Sequence, residues 1–304
     1  MTRGELSSYI KDEAQNLGFS ACGIAKAQAV EATSAQYCSQ WVQEGNNGTM
    51  QYLERNCEKH YDPTLLVNGC KSIVVVALNY APTKPIEGIS HYALGADYHK
   101  VVKDRLFMLL NRINEKQQCQ GRAFCDSAPV LERYWAVKAG LGWIGRNHQL
   151  IIPQKGSYFF IGELFIDIEL EYDTPYTQNH CGNCKKCIES CPTCALKESG
   201  FDARRCLSYL TIEYRGELPE NIGEKMGKCF YGCDRCQTAC PHNRFAEPNK
   251  ITELQPKAEL LQMSAKEWST LTKEQYDMLF SHSAVERCGY EQLMRNIREC
   301  ENRK

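Results

Sequence analysis

Ten of the 18 cysteines in this chain lie between Cys181 and Cys240, and their spacing is typical of an iron–sulfur protein. A first run, C-x2-C-x2-C-x3-C followed by proline, supplies Cys181, Cys184, Cys187 and Cys191. A second run, C-x2-C-x3-C followed by proline, supplies Cys233, Cys236 and Cys240. Two-cluster bacterial ferredoxins use such runs in pairs, and the fourth cysteine of each run binds the other cluster. The spacing therefore predicts two 4Fe–4S clusters and the transfer of single electrons.

The ferredoxin rule assigns seven cluster ligands and leaves the eighth open. Cluster one takes Cys181, Cys184, Cys187 and Cys240, and cluster two takes Cys191, Cys233 and Cys236. Phe230 stands where the second run would have its first cysteine, so the remaining ligand is Cys206, Cys229 or Cys194. Structural zinc also binds C-x2-C pairs, but it seldom binds interlocked runs of this form.

A second stretch, FCDSAPVLERYWAVKAGLGWIGRNHQLI, contains a candidate catalytic carboxyl group, Asp126. Asp126 and Ser127 precede an apolar-periodic helix with Pro129 in its first turn, so either residue could simply cap that helix. The glycines that follow allow a flat or bulky group to approach the backbone, or they end the helix in a turn; they are Gly140, Gly142 and Gly145. The first 175 residues contain no dinucleotide-binding or P-loop motif.

Alternating helical and strand-like segments must position these residues. Strands are predicted over residues 19–25, 72–80 and 157–170, and helices over residues 29–44, 99–117 and 130–139. Such alternation indicates a layered α/β (α+β) domain over residues 1–175. The polar, proline-containing segment 171–179 marks a boundary, and residues 176–304 form a cysteine-rich domain with a helical C-terminal part.

Composition is typical of a soluble cytoplasmic enzyme. The formal net charge of the 304 residues is −1, so no overall basic field indicates nucleic-acid or membrane binding. The longest apolar run, residues 73–78, is too short to span a bilayer, and the N-terminal segment predicts an amphipathic helix rather than a signal peptide. The eight scattered cysteines are expected to be buried free thiols, because the cytosol keeps thiols reduced.

Seven motifs, in order along nearly the whole chain, resemble those of epoxyqueuosine reductases, the cobalamin- and iron–sulfur-dependent enzymes of the last step in making queuosine in tRNA. They are DYHKVVKDRL, DSAPVLERYWAVKAGLGWIGRN, GSYFFIGELF, CGNCKKCIESCPTCAL, DARRCLSYLTIEYRGELP, YGCDRCQTACPHN and HSAVER. The resemblance implies a nitroreductase-like cobalamin-binding domain over residues 1–175. It also implies a ferredoxin-like domain with two 4Fe–4S clusters over residues 176–304.

The resemblance also implies roles for individual residues. Asp126 corresponds to the family's proton donor, and the DARRC motif makes Cys206 the eighth cluster ligand. We expect burial beside the corrin to raise the pKa of Asp126 towards neutral pH. The cobalamin-binding residues implied are Met50, Tyr52, Asp97, Tyr98, His99, Ser127, Trp143, Gly145, Asn147 and Ser157.

The implied partners are a tRNA that carries epoxyqueuosine and an external low-potential electron donor, and we expect a monomer. Because the net charge is near zero, tRNA binding must depend on local patches that contact phosphate without reading sequence. One candidate patch consists of Arg204, Arg205, Arg215, Lys225 and Lys228, and another of Arg287, Arg295 and Arg298. Each patch could equally be an ordinary solvated face.

The sequence departs from the family pattern in two places, and two alternative functions stay open. His91 replaces an arginine that many members carry before the DYH motif, and the chain stops at Lys304 without the helical-repeat domain of many members. A cobalamin-dependent reductive dehalogenase would use the same cofactors, but such proteins usually carry a twin-arginine export signal, which this sequence lacks. A simple electron carrier would have no use for the first domain.

Overall fold

The computed structural model describes residues 1–302. Its principal sheet has four antiparallel strands in the order β1-β2-β6-β3, with β1 Ala21–Lys26, β2 Ser72–Asn79, β3 Gly121–Phe124 and β6 Phe159–Ile166. Two short hairpins complete the strands: β4 Trp143–Ile144 with β5 Leu150–Ile151, and β7 Leu196–Lys197 with β8 Gly200–Phe201. The three long predicted strands are confirmed.

The helices lie on both faces of the sheet and beyond it. The α-helices are α1 Arg3–Asn16, α2 Ala32–Gln43, α3 Cys57–Tyr61, α4 Pro63–Leu66, α5 Tyr98–Lys116, α6 Glu132–Lys138, α7 Lys186–Glu189, α8 Leu207–Ile212, α9 Ile222–Met226, α10 Arg235–Thr238, α11 Ala258–Gln262, α12 Ala265–Ser269, α13 Lys273–Phe280 and α14 Tyr290–Glu301. Short 3-10 helices cover Gln51–Leu53, His91–Ala93, Ala203–Arg205, Pro241–Phe245, Thr252–Leu254 and Ala284–Arg287. No helix within residues 1–302 is both long and apolar enough to cross a membrane.

Alternation along the central strands divides the apolar core into two layers. Successive side chains of a strand point to opposite faces of the sheet. Val74 and Val76 of β2 therefore pack on the side of α1 and α5, whereas Ile73 and Val75 pack on the side of α6, around Trp135. Both β2 and β6 are buried on both faces, which explains why their sequences are nearly continuous apolar runs.

A third core cluster belongs mainly to the helices after residue 206, and the two halves of the chain share side chains. Ile89 and Leu94 from the first half pack into this cluster, while Leu254 from the second half packs against the sheet. A parallel bridge joins Ile89 to Tyr231. The domain boundary at residues 171–179 stays a prediction, and packing is continuous across it.

The C-terminal helical region is more broken than its sequence pattern indicates. Residues 258–280 form three helices rather than one, because Ser264 and Thr272 each begin a new helix with a capping box. Near the start of the chain, the predicted N-terminal helix is confirmed as α1, and Thr2 caps it in the same way.

Candidate active site and cluster ligands

Asp126 lies in the loop between β3 and α6, where it faces two residues at the start of α5. Its Oδ2 atom accepts a hydrogen bond from the Tyr98 hydroxyl at 2.5 Å and lies 3.3 Å from His99 Nε2. The Asp126 side chain is 59% exposed, so the carboxyl group remains open to a bound molecule. Its φ of +57° is in the left-handed region, which few non-glycine residues adopt and which is often associated with functional sites.

His99 connects two carboxylates. Asp97 caps α5 by accepting a hydrogen bond from the His99 backbone N–H at 3.0 Å, and the same oxygen lies 2.7 Å from His99 Nδ1. Burial alone would lower the pKa of His99, but the hydrogen bonds to Asp126 and Asp97 outweigh burial and raise it to about 9. His99 is therefore an imidazolium at neutral pH, held between Asp97 and Asp126.

The protein groups around Asp126 act against the raised pKa that we expect for it beside the corrin. Partial removal from water acts to raise its pKa, but hydrogen bonds from His99 and Tyr98 and the positive charges of His99 and Arg133 lower it below the ordinary value. The transferable proton of this group therefore rests on His99 and not on Asp126. The alternative role of Asp126 or Ser127 as a helix cap is wrong, because α6 begins only at Glu132 and Leu131 occupies its cap position without a side-chain bond.

Glu132 holds the Asp126 loop from the other side. The backbone N–H of Asp126 donates to the carboxylate of Glu132. Shielding from water and the negative charge of Asp126 raise the pKa of Glu132 to about 8. Sequence reasoning missed Glu132, which the helical pattern marks only as an ordinary first-turn acid.

Tyr52 and Arg287 form a wall near Asp126. The Arg287 guanidinium lies 5.9 Å from the centroid of the Tyr52 ring and pairs with Glu213 at 2.5 Å. Tyr52 is 49% exposed, and the charge of Asp126 acts on the pKa of both Tyr52 and Arg287. A half-exposed aromatic ring beside a cation is suited to a planar ligand.

The predicted ligands of cluster one form one neighbourhood. The thiols of Cys181 and Cys240 act on the pKa of Cys187, and those of Cys181 and Cys184 act on the pKa of Cys240. Cys187 lies on α7, which packs against α10 of the second cysteine run. The two runs are therefore brought together as the ferredoxin rule requires.

The predicted ligands of cluster two form a second neighbourhood that includes Cys206. The charge of Cys191 acts on the pKa of Cys206, and the charge of Cys206 acts on those of Cys233 and Cys236. Cys229 has one neighbour in the set: it shares a hydrogen bond with Cys233. Cys194 is exposed. Of the three candidates, Cys206 is thus the one that interacts electrostatically with all three other predicted ligands of cluster two.

Both neighbourhoods suit a group larger than one ion. Within residues 1–302, no three His, Cys, Asp or Glu side chains converge closely enough to hold a single metal ion. Beside cluster one, Trp143 packs against His180 and His242 at 5.0 Å each, and Arg146 donates to the Gly182 carbonyl at 2.8 Å. Trp143 Nε1 and Arg146 Nε are buried and have no hydrogen-bond partner within the described part of the chain. Sulfur atoms of a cluster are acceptors that these donors fit.

Seven of the ten predicted cobalamin-binding residues fall into two groups. Those around Asp126 are Tyr52, Asp97, Tyr98, His99 and Ser127, and Ser127 accepts a hydrogen bond from Lys103 at 3.0 Å. Those on the loops that contact the second cysteine run are Asn147, which donates to the Cys236 carbonyl at 3.5 Å, and Ser157, whose backbone N–H donates to Asn243 at 2.6 Å.

The other three predicted cobalamin-binding residues lie outside these two groups. Trp143 lies beside cluster one, as described above. A Cβ atom at Gly145 would lie 2.5 Å from the end of the Ile151 side chain, which would have to move to admit a larger residue. Met50 precedes the 3-10 helix that carries Tyr52.

The three arginines predicted to bind tRNA are engaged differently. Arg204 is 51% exposed and pairs with Asp202 at 2.9 Å. Arg205 donates to the Thr193 carbonyl, and Arg215 donates to the carbonyls of Cys288 and Arg287. All three arginines are exposed; Arg205 and Arg215 donate to backbone carbonyls, whereas Arg204 pairs with the side chains of Asp202 and Asn46.

Family models match two parts of the chain. The model described as epoxyqueuosine reductase QueG, DUF1730, matches residues 61–127, which end after Asp126. The model of a 4Fe-4S double cluster binding domain matches residues 180–243, which contain both cysteine runs.

Relatives and solved structures agree with these matches. An epoxyqueuosine reductase from Cellulophaga algicola is 43% identical over 97% of this chain and 98% of its own length, and one from Pseudomonas aeruginosa is 38% identical over 96% and 84%. A crystal structure of epoxyqueuosine reductase with an epoxyqueuosine-modified tRNA stem loop superposes with a TM-score of 0.90 at 28% identity, covering 98% of this chain and 81% of that one. A catabolic reductive dehalogenase superposes with a TM-score of 0.52 at 17% identity, over 83% of this chain and 33% of that one, which shows a shared fold alone.

Proposed function

Because this chain belongs to the epoxyqueuosine reductase family, we propose that it reduces epoxyqueuosine to queuosine at the wobble position of tRNA. The protein is an oxidoreductase that binds two 4Fe–4S clusters, and cobalamin is its second cofactor. The observation that carries the proposal is the open Asp126 carboxylate, backed by Tyr98 and His99, in a chain that also brings together two sets of four cysteines.

The reaction sets the requirements for these residues. Converting an epoxide to an alkene breaks two C–O bonds and releases the oxygen as water, which consumes two electrons and two protons. The two sets of four cysteines assigned above would hold the clusters, which would supply electrons one at a time. Cobalamin, when bound, supplies a low-valent cobalt centre able to cleave the C–O bond. The protein must therefore deliver protons to the departing oxygen and keep other proton donors away from the reduced cofactor.

Proton delivery belongs to the pair formed by His99 and Asp126. The imidazolium of His99 points Nε2 at Asp126 Oδ2, and the Tyr98 hydroxyl donates to the same oxygen. As negative charge develops on the substrate oxygen, the carboxyl group of Asp126 can pass on the proton that His99 holds. Asp97 keeps its contact with His99 Nδ1 and so fixes the orientation of the ring.

The open wall at Tyr52 and Arg287 supports the entry of a nucleobase. Bases stack on aromatic rings and guanidinium planes in single-stranded RNA loops. We propose that the modified base passes this wall to reach Asp126. The further partner is an external low-potential electron donor, and we propose that the protein acts as a monomer in the cytoplasm.

Anaerobically reconstituted protein tests the proposed function. With a chemical reductant, cobalamin and an epoxyqueuosine-containing stem loop, we expect one queuosine per epoxyqueuosine consumed, measured by mass spectrometry of the nucleosides. A halogenated phenol offered under the same conditions should remain unchanged. Dehalogenation without epoxide reduction would favour the reductive dehalogenase instead, and electron transfer with neither reaction would favour an electron carrier.

A further inference from the structure

Glu163 is a carboxyl group in the wrong surroundings for a charge. It lies in the middle of β6 and is 0% exposed, and neither of its carboxyl oxygens has a hydrogen-bond partner within residues 1–302. Its neighbours on the same face of the strand are Ile161 and Phe165, both in the apolar layer under α6. An unpaired carboxylate in such a place is very costly, so the group takes up a proton instead.

The position of Glu163 relates it to the candidate active site. It is the register partner of Phe124, the last residue of β3, from which the chain runs through Cys125 to Asp126. At the other end of the same loop, α6 begins with Glu132 and packs on β6. Both ends of the loop that carries Asp126 therefore lie against β6, the strand that contains Glu163.

Glu132 is linked to both Asp126 and Glu163, to the first by a hydrogen bond and to the second by its charge. Glu132 accepts a hydrogen bond from the backbone N–H of Asp126. Burial raises the pKa of Glu163 well above its ordinary value, and the negative charges of Glu132 and Asp126 raise it further. The other titratable or charged groups whose fields reach these two glutamates, or Cys125 beside them, are Arg133, His99 and Lys103. Two carboxyl groups shielded from water this close to a third cannot all ionise at neutral pH.

We propose that Glu132 and Glu163 form a proton store behind Asp126, which returns a proton to Asp126 after that carboxyl group has released one to the substrate oxygen. The inference rests on the proposed function, whose reaction consumes two protons. The first proton comes from His99 through Asp126. The second leaves the carboxyl group of Glu132 and is received by Asp126; Glu132 is left as a carboxylate, and solvent or Glu163 protonates it again.

Glu132→Gln and Glu163→Gln separate storage of a proton from support of the loop. The amide oxygen of glutamine can still accept the Asp126 N–H, so Glu132→Gln keeps the loop in place and removes the acid, whereas Glu132→Ala removes both. Glu115→Gln makes the same chemical change at an exposed position on α5 and is the matched control.

Infrared difference spectroscopy on the cluster-loaded protein, without tRNA, tests the store directly. At neutral pH the wild type should show absorption from protonated carboxyl groups, part of which titrates near the pKa of about 8 of Glu132. Glu132→Gln should remove the titrating part, Glu163→Gln should remove the part that persists to higher pH, and Glu115→Gln should change neither. Spectra of both variants identical to the wild type would overturn the proposal.

Single-turnover rates test the use of the stored proton. Glu132→Gln should slow epoxide reduction about 100-fold at neutral pH, the lower end of effects for a proton-transfer group, and should remove the part of the expected alkaline decline centred near pH 8 while leaving the part that His99 sets near pH 9. An unchanged rate and an unchanged pH profile would overturn the proposal even if the infrared bands were lost. A wild type inactive on the stem loop would overturn the proposed function instead, and the infrared result would still decide whether the protons are stored.

Discussion

At the scale of single residues, Asp126 works through its neighbours rather than through a raised pKa of its own. Asp126→Asn keeps the size of the side chain and its acceptor oxygen but removes the carboxylate that holds His99 in its charged form. We expect both clusters to remain and turnover to fall about 100-fold or more. Single-turnover assays with iron analysis measure both effects, and near-normal turnover would remove Asp126 from the proton path.

Asp97 helps to set the pH range over which His99 can supply a proton through Asp126. The pKa of His99 is raised to about 9, so the imidazolium is fully present below the ordinary value of about 6.5 and is lost as pH rises through about 9. The stability that this charge contributes, and the proton that it supplies, should follow the same course. Asp97→Asn still caps α5 through its side-chain oxygen but lowers the pKa of His99. The alkaline decline in turnover should then move to lower pH, and NMR titration of His99 should show the same shift; an unmoved profile would contradict this account.

Cys206 and Cys229 differ in how many cluster-two cysteines they meet, and this difference predicts their roles. Cys206→Ala should lose cluster two and about half of the roughly eight irons expected per chain, whereas Cys229→Ala should keep them. Iron and sulfide analysis with EPR spectroscopy of the reduced protein measures both variants. Loss of a cluster from Cys229→Ala alone would transfer the ligand role to Cys229.

At the scale of elements, the strands that sequence predicts best are those whose burial leaves no ambiguity. β2 and β6 have long apolar runs, which are typical of strands buried on both faces of a sheet. β3 escaped prediction because it is short and half polar, and it gains its strand form only by pairing with β6. Local pattern cannot reveal an element that a distant partner creates.

The loop between β3 and α6 shows the same limit at the candidate site. Its sequence suggests a capped helix start, yet the helix begins later and Asp126 takes a left-handed φ, tied to Glu132 and facing Tyr98 and His99 on α5. The family resemblance points to Asp126, but the direction of its pKa depends on groups from another helix. Glu163 lies in the motif GSYFFIGELF, but the motif assigns it no role, because the meaning of a glutamate in an apolar strand depends on its burial.

The β4-β5 hairpin places a buried indole N–H beside the residues that flank Cys181 and Cys240, and we expect it to donate to a sulfur of cluster one. Trp143 Nε1 is buried beside His180 and His242 and has no hydrogen-bond partner within residues 1–302. Hydrogen bonds to cluster sulfurs raise the reduction potential. Trp143→Phe should therefore lower the midpoint potential of one cluster by an amount on the order of tens of millivolts, in an EPR-monitored titration. Two unchanged potentials would show that the indole N–H does not reach the cluster.

At the scale of the whole molecule, the two halves are joined by polar contacts at the cysteine runs as well as by shared core residues. Gln237, on the helix that carries Cys236, donates to the Tyr80 hydroxyl and to the Ser157 carbonyl, both at 3.0 Å. Asn243 accepts from the Ser157 backbone. These bonds hold the cysteine-rich region against the sheet, as electron transfer from the clusters to a second cofactor would require.

Binding of tRNA is the property that depends on the molecule as a whole, because its formal charge is only −1. Of the three exposed arginines predicted to contact phosphate, Arg204 pairs with the side chain of Asp202, whereas Arg215 donates to the backbone carbonyls of Cys288 and Arg287 and so supports the fold. Arg204→Ala should therefore weaken binding of an anticodon stem loop and reduce the slope of log affinity against log salt by about 0.7 to 0.9, the value of one phosphate contact. Arg215→Ala should instead lower the melting temperature and leave the slope unchanged. Fluorescence anisotropy over a range of salt concentrations measures the slopes, and an unaltered slope in Arg204→Ala would place the tRNA on another face.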